Sequence, residues 1–196
     1  SDANWQGTAF GTLVIGKPEQ AISFPALNNQ LSTNRIGLAA SASSGLPVSF
    51  AVGAGPASIA GGTNLTFTGA GEVRLVASQA GDDNWNTAPD VTNAFNVAKA
   101  AASVYLQNLA QTFDGLAKPA SATSDPSGLA VVFTYDGHGW APTNAGSYEV
   151  IGSVTDAMYS GSAVGTLVIG KAAQAITNFL PTNGSVFVAT DRAGLS

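Results

Sequence analysis

The sequence predicts an all-β fold, laid out as tandem β-sandwich modules in a linear array. Three observations carry that. Short apolar runs recur about every 8–12 residues between turn formers. Gly is abundant at 23 residues and Pro adds 9, and no segment has the length and period of a helix. The chain also repeats itself, and repeats are read before anything else.

The repeat sets the organisation. Residues 2–22 and 156–176 are identical at 14 of 21 positions, at an offset of 154. Asn34-Arg35-Ile36-Gly37-Leu38 is matched further on by Asp191-Arg192-Ala193-Gly194-Leu195. A weaker copy lies between: Asp82-Asp83-Asn84-Trp85 matches Asp2-Ala3-Asn4-Trp5, and Phe95 to Lys99 falls where Leu13 to Lys17 would. Each module is therefore expected to end in an aromatic-bearing turn followed by an apolar strand that closes on Lys17, Lys99 or Lys171. That parses residues 1–17 as the end of one module, 18–99 and 100–171 as complete modules of two alternating types, and 172–196 as the first strands of another. The opening Ser1-Asp2-Ala3 shows neither an initiator Met nor a leader, so a processed or excised piece of a longer chain is expected.

In the module at 18–99, strands are expected at residues 20–24, 36–42, 48–52, 64–67, 72–78 and 92–98. Gly61-Gly62, Gly69-Ala70-Gly71 and Gly81-Asp82 supply turns between them. Glu72-Val73-Arg74-Leu75 alternates charge and apolar bulk, the pattern of a half-buried strand. In the module at 100–171, strands are expected at 103–107, 111–113, 130–135, 147–155 and 166–169, with Asp136-Gly137 as a hairpin turn. Ala98 to Ala102 has helix-friendly composition, but isolated helices need about 12–15 residues, so it reads as a linker.

Composition removes several function classes. Charged residues are 10%, the net charge is −5, and the 7 Lys and Arg are scattered, which leaves no footprint for nucleic acid. There is no Cys, hence no disulfide framework and no thiolate metal site. The longest strictly apolar run, residues 129–133, is far below the roughly 20 residues of a membrane span.

The module at 100–171 resembles the bacterial MBG (mostly β, glycine-rich) domain. The residues that carry this are Tyr135-Asp136-Gly137, Pro142-Thr143-Asn144-Ala145-Gly146-Ser147-Tyr148-Glu149-Val150, Asp156, Tyr159-Ser160-Gly161-Ser162-Ala163, and Gly165-Thr166-Leu167-Val168-Ile169 with Lys171. The module at 18–99 resembles a bacterial immunoglobulin-like repeat through Gln20-Ala21-Ile22-Ser23-Phe24, Ser44-Gly45-Leu46-Pro47, Leu65-Thr66-Phe67 and Gln79-Ala80-Gly81. The resemblances imply immunoglobulin-like sandwiches in a large extracellular or cell-surface bacterial protein, adhesin-like, with no catalytic motif and no cofactor to transfer.

Candidate sites are few. The single His138 lies in a turn beside Trp140, and together they are the best-placed ligand contact. A catalytic triad would need a buried His in a relay, and no carboxylate pair stands in a visible cleft, so no catalytic residue is assigned. Asp82, Asp83 and Asp90 offer oxygens for calcium, but Asp82-Asp83-Asn84 becomes Asp156-Ala157-Met158 in the other copy, which favours turn capping. Trp5, Trp85 and Tyr159 share a repeat position and read as packing anchors. The expected role is a structural or adhesive stalk or fibre whose partners are neighbouring modules and a surface glycan or protein. The alternatives are a carbohydrate-binding module centred on Trp140, and a filament or sheath subunit that self-associates through sheet edges.

Overall fold

A computed structural model describes residues 10–174, 178–182 and 185–189. The repeat residues Asp2 and Trp5, and the match at 191–195, lie outside them. The described residues contain strands and no helix. The chain divides into two compact units, Ser1–Ala100 and Ala101–Ser196.

The first unit runs β1 (Ile22–Ser23), β2 (Gln30–Leu31), β3 (Arg35–Gly37), β4 (Ser41–Ala42), β5 (Ser49–Ala54), β6 (Ala57–Ala60), β7 (Asn64–Phe67), β8 (Gly71–Ser78) and β9 (Val91–Ala98). One sheet has the order β2-β9-β8-β5, a second β3-β7-β6, and β1 pairs with β4. Residues 36–42, expected as one strand, fall in two pieces with different partners: β3 pairs with β7 and β4 with β1. The core is built from both sheets. Leu65 and Phe67 of β7 meet Val73, Leu75 and Ala77 of β8 and Phe95 and Val97 of β9, with Phe24 and Leu38 closing the ends. Phe67 and Phe95 meet edge to face at 6.0 Å.

In the second unit, β10 (Ala100–Ala101) straddles the division, so the expected linker is extended chain. Then come β11 (Ser103–Gln107), β12 (Ala110–Thr112), β13 (Ser121–Asp125), β14 (Val131–Tyr135), β15 (Gly146–Val154), β16 (Tyr159–Ser160) and β17 (Ser162–Gly170). Its main sheet has the order β12-β17-β15-β14, and β11 pairs with β13. Past it, β18 (Asn178–Thr182) and β19 (Ser185–Ala189) form an antiparallel hairpin. Val150, Leu167 and Ile169 are sealed in the core with Tyr135 and Ala120, and Leu106 of β11 packs onto them from the facing sheet. Tyr135 uses its hydroxyl oxygen to accept the Ala120 N–H at 2.8 Å, so the buried ring carries no unpaired polar atom.

The two main sheets share one plan. In each, a short early strand lies parallel to the last strand, which pairs antiparallel with the long penultimate one, and a shorter strand forms the far edge. The units differ in what joins that edge strand to the penultimate strand. In the first unit it is the β6–β7 hairpin of the second sheet. In the second unit it is one loop, residues 136–145, which carries His138 and Trp140.

Candidate functional site

The loop begins as the sequence predicts. Asp136 and Gly137 have φ of 46° and 80°, the left-handed pair that a two-residue hairpin turn requires. The Tyr135 N–H donates to the His138 carbonyl at 2.7 Å, and the His138 N–H returns to Tyr135 at 2.8 Å. Asp136 ties the turn to β15: its N–H donates to the Glu149 carbonyl at 2.9 Å, and its carboxylate accepts the Glu149 N–H at 2.7 Å. The chain leaving this braced turn lays the His138 ring on Trp140, with centroids 4.5 Å apart and planes 20° from parallel. Trp140 stays 68% exposed. The structure thus brings together the two residues singled out as a ligand contact. The turn was legible from Asp136-Gly137; the stacking depends on the hairpin geometry and had no sequence signal. Such a pair can bind a flat apolar face. It offers no general base held in a relay, and His138 is exposed.

The acidic turn is organised differently. Asp82 Oδ1 accepts the N–H groups of Asn84 and Trp85 at 2.8 and 2.9 Å. Asp156 Oδ1 does the same for Met158 and Tyr159 at 2.7 and 3.0 Å. One carboxylate oxygen satisfying two backbone donors is the turn-capping role of Asp. Asp83 and Asp90 are exposed, and among the described residues no three His, Asp or Glu side chains converge as a metal site needs. Trp85 and Tyr159 are half-buried and lie outside both core clusters, so neither is the deep anchor expected of it.

What the sequence did not show is how the first unit begins. Lys17 Nζ donates to the Asp82 carbonyl at 2.6 Å, and the Asn86 amide donates to the Lys17 carbonyl at 2.9 Å and to Glu19 at 2.8 Å. Just inside, Gln20 and Gln79 are buried and paired at 2.5 Å. Gln20 also donates to the Asn86 carbonyl at 2.6 Å and accepts from Ser44. The Asp82–Asn86 turn therefore grips the chain entering the unit.

The Asp114 carboxyl is shifted. The Lys118 ammonium, 2.5 Å from Asp114, holds that carboxyl below its usual range, and the Leu116 N–H adds to this. A carboxyl depressed on folding stabilises the fold above its unfolded pKa, and that share is lost as pH falls through the folded pKa. Asp114 is half exposed, so the contribution is small. Asp114→Asn is expected to lower the melting temperature slightly at pH 7, with the gap to wild type closing as the pH falls below the carboxylate range. A gap that persists undiminished in acid would show that the charge is irrelevant.

Comparison with known proteins agrees with the second unit. Residues 102–173 match the MBG domain. No curated protein matches the chain. Among solved structures the chain is similar to Drosophila N-cadherin EC1-4, at 14% identity and a TM-score of 0.34, over 81% of this chain and 50% of that one. It is similar to mouse cadherin-23 EC22-24 at 9% and 0.28, over 79% and 65%. It is also similar to the titin domains z1z2 in complex with telethonin, at 15% and 0.27, over 79% and 98%. The chain thus spans half the length of the N-cadherin segment.

Proposed function

We propose that this chain is a structural and adhesive repeat segment, a stalk or fibre, of a large bacterial extracellular or cell-surface protein, and that it performs no catalysis. The observation that carries the reading is the parallel pairing of an early strand with a late one in each unit. In the second unit the Val168 N–H donates to the Leu109 carbonyl at 2.8 Å and the Phe113 N–H to the Gly170 carbonyl at 2.9 Å; in the first, the Ser32 N–H donates to Ala98 at 2.9 Å. Tension along a unit pulls the short early strand, β2 or β12, and the strand parallel to it, β9 or β17, in opposite directions along their length. The bridging bonds then share the load in shear instead of opening one by one. The matched MBG domain and the Cys-free, low-charge composition fit the same role.

Pulling the chain by its two ends tests this. Two all-or-none lengthening steps are expected, one per unit. Smooth extension at low force, without steps, would remove the stalk reading.

A second reading is carbohydrate binding by the open Trp140 ring, favoured by its exposure and its stacked neighbour. A glycan retained by wild type and lost by Trp140→Ala supports it; failure to retain any glycan ends it. A filament built through sheet edges has one observation in its favour: β14, at the edge of its sheet, carries no charge and no Pro.

A further inference from the structure

Residues 11–17 and 165–171 are the same seven residues, Gly-Thr-Leu-Val-Ile-Gly-Lys. The two copies have opposite surroundings. In the second unit the segment lies in β17, between β12 and β15, where Leu167 is 0% and Ile169 2% exposed. In the first unit, Leu13 is 84%, Val14 83% and Ile15 83% exposed, and Phe10 before them 96%. Residues 10–16 belong to no strand, and neither Gly11 nor Gly16 has a heavy atom from a non-adjacent residue near its Cβ position. From Lys17 onward the chain is gripped by the Asp82–Asn86 turn. The apolar segment is therefore fastened at one end and bare along its length. Contiguous exposed apolar surface of this kind marks an interaction site.

We infer that residues 10–16 are the closing strand of a second MBG-type sheet, and that they fit the slot between strands equivalent to β12 and β15. The occupant is the sheet of a repeat placed N-terminal to residue 1. Phase and register support it. In β17 the inward side chains are Leu167 and Ile169, and the outward ones are Val164, at 65% exposure, and Val168, at 46%. The same phase turns Leu13 and Ile15 inward and leaves Phe10 and Val14 outside. Gly11 corresponds to Gly165, where an added Cβ would stand 3.0 Å from Leu106 and 3.1 Å from Leu109, so the small residue recurs where the facing sheet comes close. The upstream sequence recurs too, Asp2-Ala3 for Asp156-Ala157 and Gly7 for Gly161, so the match extends ahead of the seven residues. This rests on the array reading and deepens it: the array is continued by a strand that closes the preceding sheet and then enters the next unit through the Lys17 clasp.

The test adds a second copy of residues 101–154 ahead of Ser1, which by the offset of 154 restores the register and keeps the whole chain. Amide exchange is then measured on residues 10–16. In the unextended chain they are expected to exchange as an unstructured peptide does. In the extended chain, exchange is expected to slow by on the order of a thousandfold or more, and Leu13→Asp is expected to abolish that protection. The native second unit, with its own β17, is the internal standard. Protection of residues 164–169 with none at 10–16 overturns the inference. So does protection in the unextended chain that rises with concentration, since a second copy would then supply the slot. Either failure leaves the two-step pulling result standing, so it is distinguishable from failure of the stalk reading.

Discussion

Leu167→Ala is expected to remove most of the stability of the second unit, while Leu13→Ala, the same change in the same seven-residue sequence, leaves the chain as stable as before. Leu167 is fully buried among Val150, Ile169, Tyr135 and Ala120. Truncating such a residue forfeits its transfer free energy and leaves a cavity, together about 3–5 kcal/mol. A module of this size has a total stability on the order of 5–10 kcal/mol, so the variant is left close to its unfolding midpoint. Few core residues share the load, and the rigid β15–β17 ladder limits collapse around the gap. Leu13 has nothing to lose, being 84% exposed; surface truncations shift stability by about 0.5 kcal/mol or less. Urea unfolding followed by amide exchange separates the two units. Equal losses for the two variants would mean that residues 10–16 are packed in solution.

The pair also explains how far the sequence could be read. Identical residues predict a strand in both places, because strand formation depends on period and propensity. Burial depends on partners, which only the fold supplies. The same limit appears elsewhere. Asn64–Phe67 and Ser103–Gln107 were legible to the residue, since apolar alternation runs the full length of each. Ser121–Asp125 was not: Ser-Ala-Thr-Ser-Asp has no apolar period and becomes a strand because all five residues pair in register with β11. Ala57–Ala60 was missed because only four residues separate Gly55-Pro56 from Gly61-Gly62, and Ala-Ser-Ile-Ala holds a single large apolar residue. The start of β17 was missed because Ala163 and Gly165 give no alternation signal. Gly165 is small because Leu106 and Leu109 press on it. At the candidate site, the Asp136-Gly137 turn was legible and the stacking of His138 on Trp140 was not. The reading of Asp82 as a turn cap came from comparing copies, and the geometry gives its carboxylate two backbone donors.

Gly81→Ala is expected to cost the first unit about 3 kcal/mol, against about 1 kcal/mol for Gly45→Ala, and the comparison isolates the steric part. Both glycines have φ of 77°. A Cβ in that left-handed region costs about 1–2 kcal/mol wherever it is placed. At Gly45 the added carbon meets nothing within 4 Å, so that is the whole cost. At Gly81 it would stand 2.4 Å from the Trp85 carbonyl oxygen and 2.8 Å from the Asn86 carbonyl carbon. Those are backbone atoms and cannot rotate away; the loop has to retreat. The Asp82 N–H donates to that same Trp85 oxygen at 3.1 Å, and Gln20 reaches the Asn86 carbonyl at 2.6 Å. Moving the loop loosens both bonds, at about 0.5–1.5 kcal/mol each, and leaves buried Gln20 and Gln79 short of partners. It also slackens the Asn86 contacts to Lys17 and Glu19, so the clasp on the entering chain weakens together with the fold. Urea midpoints of the first unit for the two variants measure the difference. If Gly81→Ala costs no more than Gly45→Ala, the turn yields freely and cannot be what holds the entering chain; a clear excess makes the close approach of Gly81 to Trp85 part of how the chain at Lys17 is held on the first unit.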